Sequence, residues 1–142
     1  MHKNLLKALN HEGMVNPFPI QVATLPEGIA GRDLLGKGQT GSGKTLAFGL
    51  TVLSRLAFQK TRSNKPLALI LAPTRELAVQ INDVLSLYED SVGLSSVVLA
   101  GGMPYPPQLK ALKSGVQIVV ATPGRLQDHM KRSTILLDEI RI

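Results

Sequence analysis

The 142-residue chain contains no cysteine and no tryptophan, and aromatic residues make up only 4% of it. Without cysteine there is no disulfide framework and no thiolate metal site. No disulfide-linked partner is therefore expected, and a cytoplasmic, reducing compartment suits the composition. No apolar run approaches the ~20 residues needed to span a bilayer, so no membrane association is expected. The opening stretch Met1-His2-Lys3-Asn4-Leu5-Leu6 lacks the apolar core of a secretory leader. The three histidines, His2, His11 and His129, are scattered without ligand spacing and read as solvated surface residues. Acidic side chains are also scarce: 10 Asp and Glu stand against 16 Lys and Arg, a formal charge of +6. That balance suits a polyanionic partner. There is no run of Lys or Arg, so any basic surface has to be assembled by folding. With 44% hydrophobic residues the chain can build a core, and its length fits one domain or less.

What is present is concentrated in one stretch. Gly38-Gln39-Thr40-Gly41-Ser42-Gly43-Lys44-Thr45 fits the phosphate-binding pattern G-x-x-x-x-G-K-[ST] without a mismatch. A nucleoside triphosphate tail is densely anionic. A loop that wraps it turns its backbone N–H groups inward, and glycine permits both the torsions and the close approach. The helix that follows aims its N-terminal N–H groups at the phosphates. Lys44 is placed to reach the outer phosphates, and the Thr45 hydroxyl to hold Mg²⁺. Asp33-Leu34-Leu35 reads as a short strand before the loop. Leu46, Leu50, Leu53 and Ala57 recur at helical spacing after it. ATP with Mg²⁺ is the cofactor this pattern implies.

The rest of the chain alternates between the two periods. Leu5, Leu6 and Leu9 predict a helix ending near Gly13. Pro19 starts a second, short helix through Ile20, Val22 and Leu25. Residues 61–66 read as a polar turn. Residues 67–72 form a continuous apolar run, as in a strand buried on both faces of a parallel sheet. Residues 74–87 predict a helix with Leu77, Ile81, Val84 and Leu85 on one face. Residues 96–100 and 116–120 read as further strands. A short helix is expected over 108–112, and another from Thr122-Pro123 to about Met130. The βα alternation predicts an α/β fold of P-loop NTPase type, an open, mostly parallel sheet with helices on both faces.

In such sheets ligands bind at the carboxyl ends of the strands. Three polar or Gly-rich segments fall there: Pro73-Thr74-Arg75-Glu76, Gly101-Gly102 and Thr122-Pro123-Gly124-Arg125. Each alone is an ordinary turn with a capping Thr or a Gly. Together they would set arginines, a Gly pair and helix N-termini along one edge, as a track for a phosphate backbone.

This ordered series resembles the motifs of the DEAD-box RNA helicases. Pro19-Ile20-Gln21 resembles that family's adenine-reading Q motif, within a segment at about residues 13–21. Gly31-Arg32-Asp33 resembles the turn before its phosphate loop. The resemblance covers essentially the whole chain and implies a RecA-like first lobe, the helicase ATP-binding domain, over residues 1–142. It implies that Gln21 hydrogen-bonds adenine, and that residues 40–45 cradle the phosphates and Mg²⁺. It places Pro73, Thr74, Arg75, Gly101, Gly102, Thr122, Pro123, Gly124 and Arg125 along the RNA sugar-phosphate path, without reading base sequence. Glu76 is implied to orient neighbouring motifs. The chain departs from the pattern at Gly13-Met14, where Gly-Phe is usual, at Phe18, where Thr is usual, and at Gly38, where Ala is usual.

The family's acidic pair, which holds Mg²⁺ and positions the attacking water, has one look-alike, Leu136-Leu137-Asp138-Glu139. It follows Arg125 too closely to be that strand, and Ile140-Arg141 is not the family's Ala-Asp. The expectation is that Asp138 and Glu139 are not the site acids. The lobe is accordingly expected to be incomplete, cut before its acidic motif and inactive alone. Two other readings remain open: a different P-loop NTPase acting on DNA, and a non-catalytic RNA-binding fragment.

Overall fold

A computed structural model describes residues 1–59 and 64–142. In chain order the described residues form α1 (Lys3–His11), α2 (Pro19–Ile29), α3 (Lys44–Ala57), β1 (Ala68–Leu71), α4 (Arg75–Ser86), a 3₁₀ turn (Glu89–Val92), β2 (Ser96–Leu99), α5 (Tyr105–Ser114), β3 (Ile118–Ala121) and α6 (Pro123–Lys131). The strands make one parallel sheet in the order β1-β3-β2. Ala68 and Ser96 both stand opposite Ile118, and Leu71 and Leu99 both stand opposite Ala121.

Helix boundaries follow local chemistry. The His2 imidazole accepts from the Asn4 N–H and caps α1, which buries Leu5 and Leu9 one turn apart. The Thr74 hydroxyl accepts from Leu77 N–H at 3.2 Å and caps α4. Proline stands in the first turn of α2, α5 and α6, where its missing N–H costs nothing.

The period of two along β3 places helices on both faces. Ile118 and Val120 join a core with Leu5 and Leu9 of α1, Leu46, Leu50 and Leu53 of α3, and Ile81 and Leu85 of α4. Val119 and Ala121 face the other way, into a cluster with Leu99, Ala111, Leu112 and Leu126. Burying each of the larger aliphatic side chains contributes on the order of 1.5–3 kcal/mol.

Several sequence expectations change. Asp33-Leu34-Leu35 is not a strand; Leu35 is 101% exposed and residues 32–39 have no regular structure. A strand exists only within a ladder, and this segment pairs with no strand among the described residues. The 67–72 run is not buried on both faces, because β1 lies at one end of the strand order and Leu71 is 56% exposed. β1 is bonded on its other side by backbone: Arg141 N–H donates to Leu67 O at 2.8 Å, and Leu69 N–H to Ile142 O at 3.0 Å. The doubly buried strand is β3, whose four residues are all buried. On α4 the buried stripe is Ala78, Ile81 and Leu85, and Leu77 faces outward. Leu6 is likewise exposed on α1, and Val22 on α2. α2 and α5 are longer than expected. Residues 61–63 of the expected polar turn lie outside the described residues.

Candidate functional site

The phosphate loop runs from Gly38 into the first turn of α3. Gly43 is the N-cap, with φ +82°, in the left-handed region that favours glycine. A β-carbon on Gly43 would lie 2.6 Å from Gln21 Nε2 and 2.8 Å from Phe18 Cδ2. One on Gly38 would lie 2.7 Å from Ser42 Oγ. Ser42 N–H donates to Gln39 O, closing the turn at 3.1 Å. Gln39, Thr40 and Gly41 are exposed, and Thr45 is half-buried. The Lys44 side chain is exposed and has no ion-pair partner among the described residues. The first turn of α3 carries no acidic side chain to oppose an anion. Ser42 Oγ is buried without a hydrogen-bond partner among the described residues. A cradle of this kind, with an orphaned hydroxyl, a free ammonium and unopposed helix N–H groups, fits a polyphosphate.

Gln21 is only 3% exposed, and its amide is engaged on both sides. Its Oε1 accepts from Phe18 N–H at 3.0 Å, and its Nε2 donates to Gly43 O at 3.2 Å. The first bond is the returning half of a capping box. Phe18 has no hydroxyl to supply the other half, and its ring instead lies against the phosphate loop. Gln21 thus ties the start of α2 to the N-cap of α3.

The three strand-end segments converge. A β-carbon on Gly102 would lie 2.9 Å from Arg75 Nη1, so the guanidinium rests on the Gly102 backbone. Gly101 N–H donates to Thr122 Oγ1 at 3.4 Å. Thr122 therefore reaches across to the neighbouring loop and makes no side-chain cap to its own helix. Arg125 Nη1 donates to Met103 O at 3.0 Å and to Gln108 Oε1 at 3.2 Å. Glu76 Oε1 lies 3.5 Å from Arg75 Nη2. Pro73, Thr74, Arg75, Gly101, Gly102, Pro123 and Gly124 are exposed along this edge, and Thr122 and Arg125 are half-buried. α4, which starts at Arg75, packs on α3, which starts at the phosphate loop.

Behind this edge lies a polar cluster that sequence reasoning missed. His129 is fully buried, which corrects its reading as a surface residue. Its Nε2 lies 2.8 Å from Gln108 Oε1 and its Nδ1 2.7 Å from Thr134 Oγ1. Arg125 is a permanent donor, so the oxygen of Gln108 must face both Arg125 and His129. Neutral His129 is then protonated on Nε2, and the single Thr134 hydroxyl proton is shared between Nδ1 at 2.7 Å and the His129 carbonyl at 3.1 Å. The imidazole stacks on Tyr105 at 4.5 Å, and the Tyr105 hydroxyl donates to Asp128 Oδ2 at 2.9 Å. Arg125 and Arg132 both lie over the Tyr105 ring. Burial, and then the Arg125 charge, holds the His129 pKa below its ordinary value. The only sequence signal was spacing: His129 follows Arg125 by one helical turn.

Asp138 and Glu139 stand in a turn, and no strand forms at 136–137. Asp138 Oδ2 accepts from Lys65 Nζ at 2.7 Å. That hydrogen bond lowers the pKa of Asp138 and raises that of Lys65. No cluster of three or more acidic, His or Cys residues suited to a metal occurs among the described residues.

Residues 18–142 match the family model for the DEAD/DEAH box helicase. The chain belongs to the DEAD/DEAH box helicase family. It is 47% identical over 137 residues to the ATP-dependent RNA helicase DeaD of Escherichia coli strain K12, covering 96% of this chain and 21% of that protein. The DeaD protein of Haemophilus influenzae is 45% identical over 138 residues, with 96% and 22% covered. The chain thus spans about a fifth of the length of the curated relatives it matches. Among solved structures, the RNA helicase Prp28 of Chaetomium thermophilum, bound to ADP, superposes with a TM-score of 0.90 at 39% identity, covering 99% of this chain and 35% of that one. A hypothetical ATP-dependent RNA helicase of Sulfolobus tokodaii gives 0.87 at 30% identity, with 99% and 39% covered. The architecture is that of the family's RecA-like domain, a parallel sheet with helices packed on it. No helix among the described residues is long and apolar enough to cross a membrane.

Proposed function

We propose that residues 1–142 are part of the ATP-binding first lobe of an RNA helicase, with a Q-motif-like segment at about residues 13–21. In the whole protein this lobe couples ATP binding and hydrolysis to RNA duplex unwinding. The observation that carries the reading is the convergence of Arg75, Gly101, Gly102, Thr122 and Arg125 on one edge, reached from a helix that packs on the phosphate-loop helix. Bound ATP with Mg²⁺ supplies the transferable phosphoryl group. Residues 38–45 would hold its phosphates, Lys44 would neutralise the outer ones, and Thr45 would ligate the ion. Gln21 sets the loop through Gly43 and would hydrogen-bond the adenine edge. Asp138 and Glu139 are assigned no catalytic part.

RNA binds by its sugar-phosphate backbone and without base readout. The exposed groups on the edge are guanidinium, hydroxyl and backbone N–H, which contact phosphates and carry no sequence information. A cytoplasmic setting agrees with the cysteine-free composition. Anisotropy with labelled RNAs of different sequence tests the reading. Affinities should be alike across sequences and should fall steeply with salt. Arg75→Ala should weaken all of them equally, and a changed sequence preference would refute the backbone track.

A further inference from the structure

We infer that Gln108, acting with His129, is a positioning residue that fixes the 100–103 loop and Arg125 for RNA binding. Gln108 is 3% exposed, so it cannot itself touch a polymer. Its amide nonetheless reaches both sides of the loop. Nε2 approaches Ala100 O at 3.5 Å, while Oε1 accepts from Arg125, whose Nη1 also holds Met103 O. The exposed pair Gly101-Gly102 lies between those two anchored carbonyls. His129 donates to the same oxygen from behind, and Thr134 holds its second nitrogen. The buried amide thus has its acceptor shared by two donors on α6 and its donor aimed at the end of β2. A rotation that broke one link would break the others. The charged or titratable groups facing the imidazole are Arg125 and Asp128 from its own helix, Arg132 just past the end of that helix, and Tyr105 from α5.

The inference rests on the RNA-track reading, so its test has one readout with RNA and one without. The probe is a fluorescein-labelled oligouridylate, followed by anisotropy at low salt, with ADP titrated by calorimetry on the same chain. Gln108→Met keeps the volume and removes every polar link. It should weaken RNA binding about tenfold, leave ADP affinity unchanged, and displace the Gly101 and Gly102 amide resonances. Gln108→Glu keeps an acceptor for Arg125 and His129, gives up the long contact to Ala100 O, and adds negative charge beside the imidazole. RNA affinity should then return to within about threefold of the parent. The His129 titration should also move up by about one unit. A merely space-filling Gln108 would give no rescue of RNA affinity by the carboxylate. Unchanged RNA affinity in Gln108→Met, or unmoved Gly101 and Gly102 resonances, overturns the inference. Should Gln108→Met fail to fold, an unshifted His129 titration in Gln108→Glu overturns it alone. A parent chain that binds no RNA, with the resonances still displaced, refutes the track and supports the positioning.

Discussion

The guanidinium of Arg75 rests on the backbone of Gly102, so close that a β-carbon there would sit 2.9 Å from Nη1. Two motifs far apart in sequence are thereby held in contact at the ends of β1 and β2. Gly102 also has φ +77°. Gly102→Ala should cost about 1–2 kcal/mol in the left-handed region and displace Arg75 as well. Gly101 has an open surrounding and no such torsion, so Gly101→Ala should melt like the parent. Thermal melts of the pair check this, and equal losses would remove the special role of Gly102.

At the phosphate loop, Lys44→Ala should lower ADP and ATP affinity about tenfold or more by calorimetry. The melt should hardly change, since the side chain is exposed. Gly43→Val should lose both binding and stability, because its side chain would collide with Gln21 and Phe18. Nucleotide affinity unchanged in both variants would refute the site.

Gln21→Leu leaves Phe18 N–H without its partner and removes the second donor to Gly43 O, which keeps its bond from Ala47 N–H. The expected cost is about 1–3 kcal/mol. Nucleotide affinity should fall too, since the N-cap of α3 loses its tie to α2. Denaturant unfolding and calorimetry on the same variant separate the two effects.

His129 gives a pH signature. Its folded pKa lies below the ordinary value, so the folded state binds fewer protons than the unfolded chain as the pH drops through the histidine range. Its contribution to stability is therefore complete above the ordinary value and is lost as pH falls through the folded one. Melts compared at about pH 7.5 and about pH 5.5 should drop more in the parent than in His129→Gln, which cannot take up the proton. Asp128 titrates below that window, held down by the Tyr105 hydroxyl.

What the sequence made legible was local. The phosphate loop and α3 were readable because torsion, charge and helix period are written in adjacent residues. The starts of α4 and α6 were readable from Thr74 and from Thr122-Pro123. What escaped depends on partners far along the chain. Leu34 and Leu35 have strand composition, but composition does not supply a ladder. The run around Leu69 is as apolar as that around Val119, and only the order β1-β3-β2 decides which lies in the middle. His129 looked like a surface residue because its burial is decided by Gln108, Tyr105 and Thr134 together. The Thr122 hydroxyl could not be assigned to Gly101 before the two strand ends were known to be neighbours.

The central place of β3 governs the order of assembly. Among the described residues it is the last of the three strands to leave the ribosome, yet the ladders of β1 and β2 both run to it. Until Ala121 has emerged, no ladder in this sheet can form, and the earlier strands wait as unpaired apolar segments. Closing Ala68 onto Ile118 is a long-range event, slow by comparison with helix formation. The nucleotide loop and its helix are therefore complete in the nascent chain well before the RNA edge exists. Chaperone demand during synthesis should peak in that interval, with β1 and β2 made and β3 still to come.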